Sequence, residues 1–206
     1  MTPRFSTDRL VVREFKNKDL FECYELFSNS ETMNLFGGST KNTEFFHGDF
    51  GASIQEETKA EILHFWSVTL KDENIFIGFI RLMSYASYYY DVSFSSLGDQ
   101  RYSTESLNYF DRKNGWEIDY ALVPDMRNKG LMREAVGEIL EFCANSKKYP
   151  IYAKVNSIKN TATIKLLLHF NFKAHLPMID TTRLNLDMMD KIFQEKDYGM
   201  IYKWQP

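Results

Sequence analysis

Residues 116–144 carry the tightest constraint in the chain. An apolar, strand-like run from Trp116 to Val123 stops at Pro124. A basic, glycine-containing turn follows, Asp125-Met126-Arg127-Asn128-Lys129-Gly130, and a helical pattern starts inside it. Such a turn leaves several backbone N–H groups unpaired at a helix N-terminus, and the helix dipole adds positive potential there. Together they make an anion site suited to a phosphate or pyrophosphate. An ordinary strand-turn-helix connection has the same local pattern, so this stretch alone leaves both readings open.

A length of 206 residues suits one domain, or one domain carrying insertions, and we expect a single domain over 1–206. The aromatic fraction of 16% points to a core or cleft rich in rings. A formal net charge of -3 argues against nucleic acid as a partner. It tolerates cationic acceptors such as amines. Cys23 and Cys143 fall in predicted helices and outside any CxxC pattern, so they read as reduced core residues of a cytoplasmic protein. His47, His64, His169 and His175 lack metal-ligand spacing, and no metal is expected. The N-terminus lacks an apolar signal-like stretch, and no apolar run approaches membrane-spanning length.

Periodicity predicts a strand over Arg9–Phe15, with Leu10 and Val12 facing opposite to Arg9, Val11 and Arg13. A helix starting at Asn17 or Asp19 carries Leu20, Phe21, Tyr24, Leu26 and Phe27. A short helical turn leads into the Phe36-Gly37-Gly38-Ser39 loop, and Asn42–Ile62 reads as amphipathic and helical. His64–Leu70 and Ile75–Met83 form a hairpin. A strand over Trp116–Val123 follows, then a largely buried helix from about Gly130 to Ala144. Strand Ile151–Val155, helix Asn160–His169 and strands Phe172–Leu176 and Tyr198–Trp204 complete the series. Two segments break this rhythm. One is a long, tyrosine-rich insertion at about 86–115, of a length that is often functional and that suits an extra hairpin or a homodimer face. The other is an extra helical segment at about 184–197.

The element order, together with three local patterns, resembles the GNAT superfamily of acetyl-CoA-dependent N-acetyltransferases. The branch that acetylates the N-terminus of ribosomal proteins is the most similar. Thr7-Asp8-Arg9-Leu10-Val11-Val12-Arg13 is similar to that branch's opening T-x-R-L-x-L-R. Glu117-Ile118-Asp119-Tyr120-Ala121-Leu122 with Pro124 is similar to E-I-G-Y-x-L-x-P. Asn160-Thr161-Ala162-Thr163-Ile164-Lys165-Leu166-Leu167 through Phe172 is similar to N-x-x-S-I-x-L-L-E-K-L-G-F. The resemblance implies an α/β (α+β) GNAT fold: one mixed, mostly antiparallel sheet of about seven strands flanked by helices, with the insertion between the third and fourth strands.

It also implies acetyl-CoA as co-substrate and direct attack of a primary amine on its thioester. The family's diphosphate loop, [Q/R]-x-x-G-x-[G/A], is filled by Arg127, Asn128, Lys129, Gly130 and Leu131. Met132 takes the position of its small residue, where a long side chain either crowds the phosphates or packs under the helix. Asn171 replaces a glycine, a change that asparagine tolerates at a left-handed helix end. The attacking amine must be neutral, so a base is needed. Glu117 is the first candidate, and Asp119, two residues on, shares its strand face and is the second. The backbone around Leu122 or Val123 is the implied donor to the thioester oxygen. Asn160 and Thr163 match the family's cofactor-contacting positions, and Asn160 also suits a helix N-cap. Leu167 stands where many relatives carry a tyrosine acid.

The acceptor wall is expected at Phe36-Gly37-Gly38 and at the Tyr85–Phe94 stretch. Acceptors left open are a protein N-terminus or a small-molecule amine. A catalytically silent acyl-CoA-binding regulatory module is the alternative reading, mildly favoured by Met132 and Leu167.

Overall fold

The computed structural model describes residues 2–36, 54, 56, 58–84, 115–178 and 199–206. The segments expected at 86–115, apart from Gly115, at 184–197 and over most of 42–62 lie outside the described residues. Eight described strands form one sheet: β1 (Phe5–Ser6), β2 (Leu10–Glu14), β3 (Leu63–Leu70), β4 (Phe76–Ser84), β5 (Trp116–Leu122), β6 (Ile151–Val155), β7 (Lys173–Met178) and β8 (Gly199–Trp204). Their spatial order is β1-β2-β3-β4-β5-β6-β8-β7. Every pairing is antiparallel except β5 with β6. A parallel pair cannot be joined by a tight turn, and the crossover here is helix α3 (Leu131–Asn145). The eighth strand, Phe5–Ser6, is too short to leave an alternating pattern, which is why periodicity predicts only about seven.

Helices cover both faces. Helices α1 (Leu20–Ser28) and α2 (Ser30–Phe36) place Cys23, Leu26, Phe27 and Met33 against Phe65, Phe79 and Met83. On the other face, α3 and α4 (Thr161–His169) pack Ala135, Val136, Ile139, Leu140 and Leu167 on Val12, Trp66, Ile80, Ile118 and Leu122. Both cysteines are free and buried, and burial raises both thiols, Cys143 to about 12. Neither is a ready thiolate near neutral pH. No helix among the described residues is long and apolar enough to cross a membrane.

Arg13 faces opposite to Leu10 and Val12, and that side of the strand is buried as well. The helix side of β2 is covered, and burial there requires a partner. Asp19, just before α1, supplies it through two guanidinium contacts of 2.7 and 2.8 Å. The Ser67 hydroxyl and the Lys16 N–H also donate to Asp19. Burial alone would raise the Asp19 carboxyl, but these hydrogen bonds outweigh it and hold the group below its ordinary value.

His64 on β3 sits between Trp66, Trp116 and Phe142, with ring centroids 5.3, 6.1 and 5.5 Å away. Neither ring nitrogen finds a hydrogen-bond partner among the described residues. Burial, helped by the nearby Lys148 charge, lowers its pKa to about 4.

Two outcomes follow from these buried groups. Asp19→Asn should destabilise the fold by about 3 kcal/mol, read from urea unfolding, because it strands the Arg13 charge. Between the unfolded pKa of about 6.5 and the folded value, only the unfolded chain binds a proton at His64. Stability should therefore fall as pH drops through this window, by about 2 kcal/mol between pH 7.5 and 5. His64→Phe should remove that part of the loss.

Candidate functional site

The site begins where β5 and β6 part. Their pairing covers only Trp116 with Ile151 and Glu117 with Tyr152, although both strands continue. On its other edge β5 stays paired with β4 through Leu122. Backbone groups alternate in direction along an antiparallel ladder. The Val123 N–H donates to the Ile77 carbonyl at 2.9 Å, which places the odd-numbered amides of β5 toward β4. The Tyr120 and Leu122 amides therefore face the gap, beyond the last β6 partner. Of the two backbone donors expected at the strand end, Leu122 has its N–H turned to the open edge, and Val123 has its N–H committed to β4.

The open edge runs into the turn. A 3-10 turn over Pro124–Met126 ends at Arg127, whose N–H donates to Pro124. Asn128 and Gly130 are both left-handed, with φ of 60° and 77°. Among the described groups, the amides of Asn128 through Arg133 find no acceptor; the first helical bond to an outside carbonyl runs from Glu134 to Gly130 at 3.1 Å. The result is a row of free donors at the N-terminus of a 15-residue helix. Leu131 and Met132 are buried in the core beneath the helix, so the Met132 side chain points away from this row.

The Arg127 side chain is turned inward. It donates to the Leu122 carbonyl at 3.0 Å, to Glu31 at 2.6 Å and to the Thr32 hydroxyl at 2.6 Å. It braces the turn against α2. Positive charge beside the turn comes instead from Arg9 and Arg133. The Arg9 and Arg133 guanidinium groups flank Gly130, and Arg9 also donates to the Lys129 carbonyl at 3.0 Å. Arg9 and Thr7 hold Glu134 in the first turn of α3. Burial would raise the Glu134 carboxyl, but these donors outweigh it and keep the group below its ordinary value.

Glu117 and Asp119 lie on the α1–α2 side of β5, as period-two alternation requires. Each has a cationic neighbour. Lys154 on β6 reaches Glu117 at 2.9 Å across the start of the gap. Arg81 on β4 pairs with Asp119. Burial raises the Asp119 carboxyl above its ordinary value, with Arg81 opposing the shift and Glu117 adding to it. Lys154 and Arg81 carry no sequence signal of their own; only strand register brings them to the carboxylates.

Asn160 caps α4, its side chain accepting from the Thr163 N–H at 3.3 Å. Leu167 is fully buried. Asn171 is left-handed, with φ of 63°. Gly37, Gly38 and the Tyr85–Phe94 stretch, expected as the acceptor wall, lie outside the described residues, as does the Phe36 side chain. No cluster of His, Cys, Asp and Glu among the described residues could hold a metal ion.

The turn geometry yields a stability outcome. A Cβ on Gly130 would meet Arg9 and Arg133 only at ordinary contact distances of 3.6 and 3.7 Å. The penalty for Gly130→Ala is therefore conformational, about 1 to 2 kcal/mol in denaturant unfolding, from a left-handed φ without glycine.

Comparison with known proteins gives the same reading of the fold. Ribosomal-protein-S5-alanine acetyltransferase from Vibrio fischeri superposes with a TM-score of 0.67 at 15% identity, covering 99% of this chain and 100% of that one. Spermidine N-acetyltransferase from Vibrio cholerae, in complex with CoA and spermine, gives 0.65 at 14% identity, covering 96% and 94%. AAC(6')-Ib in complex with ribostamycin and coenzyme A gives 0.63 at 16% identity, covering 95% and 92%. No curated protein sequence matches this chain. The acetyltransferase (GNAT) domain family matches residues 9–173. The chain belongs to the GNAT acetyltransferases and is an acyltransferase.

Proposed function

We propose that the protein transfers an acetyl group from acetyl-CoA to a primary amine by direct attack. The observation that carries this reading is the parting of β5 from β6 directly upstream of the amide-lined turn. An extended amide-bearing arm fits the unpaired edge of β5, and a diphosphate fits the donors of Asn128 through Arg133. The residues present suit that ligand. The donor row faces outward, Met132 is packed away from it, and Arg9, Lys129 and Arg133 supply positive charge nearby. Asn160 and Thr163, on the first turn of α4, remain our proposed contacts to the same ligand. Neighbours whose structures hold CoA with spermine or with ribostamycin support the co-substrate and an amine acceptor of small-molecule kind. The ribosomal-protein-S5-alanine enzyme supports a protein N-terminus as the other class.

The chemistry proposed follows from the two sides of the open edge. An amine arriving as its ammonium form must lose a proton before it attacks. Glu117 is our first candidate for the acceptor of that proton, directly or through water. Asp119 is the second, and the upward push on its carboxyl improves it as a base near neutral pH. Lys154 and Arg81 hold the two carboxylates apart in orientation and offset their charge. The Leu122 N–H is placed to donate to the thioester oxygen as negative charge grows there.

Calorimetry should detect CoA binding, and thiol release should report turnover on members of a panel of amines. Glu117→Gln should lower turnover about 100-fold while CoA affinity stays near normal. Unchanged turnover in that variant would move the base role to Asp119 or solvent. CoA binding with turnover on no amine would reject the reaction proposed.

A further inference from the structure

Lys154 is the only charged residue of β6, in a strand whose other members, Ile151, Tyr152, Ala153 and Val155, are buried. A strand with a parallel neighbour is covered on both faces and reads as a continuous apolar run, so an ammonium there is costly unless it is paired. Its place is specific. The last pairing of β6 with β5 is Tyr152 with Glu117, two residues earlier, while on its other edge β6 stays paired with β8 through Val155. Lys154 shares a strand face with Tyr152. Its ammonium reaches back across the start of the gap to the Glu117 carboxylate at 2.9 Å. Glu117 is buried, and the Lys154 side chain is 20% exposed, so the pair spans the mouth of the gap. The other charged and titratable groups on this side are Asp119 on β5, Arg81 on β4, and Cys23 and Tyr24 on α1. Glu31 on α2 is turned to Arg127. Arg81 pairs with Asp119. Burial raises the Asp119 carboxyl, and the Glu117 charge adds to that push. Two carboxylates on one face thus work against each other's ionisation.

We infer that Lys154 is a positioning residue for acetyl transfer, its ammonium keeping the Glu117 carboxylate ionised and fixed at the mouth of the β5–β6 gap. This inference rests on the reading of Glu117 as the base and deepens it. A carboxylate takes a proton from an arriving ammonium only if it is charged when the substrate binds. Burial and the neighbouring Asp119 both work against that charge, and a cation at 2.9 Å favours it. In the transfer, an N–H bond of the substrate ammonium breaks, its electron pair stays on nitrogen, and the proton goes to Glu117. Attack by the neutral amine forms the C–N bond, and the electron pair of the breaking C–S bond goes to sulfur. A second proton passes from nitrogen to sulfur by way of solvent, and Glu117 releases the first to solvent. Lys154 keeps its own protons throughout, and its effect passes through Glu117.

The test joins a pH profile with a measurement that needs no turnover. Lys154→Met keeps the aliphatic stem and removes the charge. With the best amine of the panel, the low-pH limb of kcat/KM should move upward by about one pH unit, the lower end of the effect of an opposite charge beside a carboxylate. Turnover should recover toward that of the wild type above the limb, and CoA affinity from calorimetry should stay unchanged. Lys154→Arg should restore the wild-type limb. A limb that stays in place overturns the inference. So does a loss equal at every pH, which would make Lys154 a packing residue. In parallel, infrared difference spectroscopy follows the carboxyl band that Glu117→Gln removes. On acidification that band should appear about one pH unit higher in Lys154→Met than in the wild type; an unmoved band overturns the inference. If the Met variant fails to fold, Lys154→Gln keeps a hydrogen-bond donor without the charge and carries the same two measurements. Wild-type protein that binds CoA but acetylates no amine would defeat the reaction proposed above, and the infrared titration would still decide the Lys154–Glu117 contact on its own.

Discussion

A β-strand has two edges, and β5 uses them differently. One edge is paired with β4 along its length, while the other is paired with β6 for two residues and then left open. Every other feature of the site depends on that separation. Unpaired strand amides away from water are costly, so an edge left open beside a covered core is a position at which a ligand's amides substitute for a missing strand. The separation also lets the chain leave β5 through a tight turn and enter α3 with six amides still free. The strand thus delivers one continuous line of donors, first from its edge and then from the turn.

The opening segment of the chain stabilises this arrangement from a distance. Its three polar motif residues each have a structural partner. Thr7 and Arg9 grip Glu134 in the first turn of α3, and Arg9 also holds the Lys129 carbonyl. Arg13 reaches to the other face of the sheet and pins Asp19 before α1. Arg127 supplies a third tie, joining the end of β5 to α2. The amide-lined turn is therefore held from both faces of the sheet. The Arg9–Glu134 and Arg127–Glu31 pairs join residues 125 and 96 positions apart in sequence, which local propensity does not encode.

The polar side chains of β5 lie on opposite faces of the sheet because side chains alternate along a strand. Glu117 and Asp119 face α1 and α2, where the partly buried Lys154 and Arg81 offset their charge. Tyr120 faces α3 and α4, where burial preserves its proton.

Much of this was legible in the residues themselves. The helix boundaries near Gly130 and Asn160, the hairpin, the glycine-bearing turn and the left-handed position of Asn171 all follow from local rules of proline, glycine, asparagine and periodicity. The shared face of Glu117 and Asp119 follows from a spacing of two. What tertiary structure alone decided is of another kind. It committed the Val123 amide to β4 and turned that of Leu122 to the gap. It buried Arg13, brought Lys154 and Arg81 to the carboxylates, and turned Arg127 onto α2 and the end of β5. It also sealed the Tyr120 hydroxyl. The reason is physical. Backbone conformation is set by near neighbours in sequence, whereas charge pairing, burial and the direction of an edge amide are set by strand register and by which strand fails to pair.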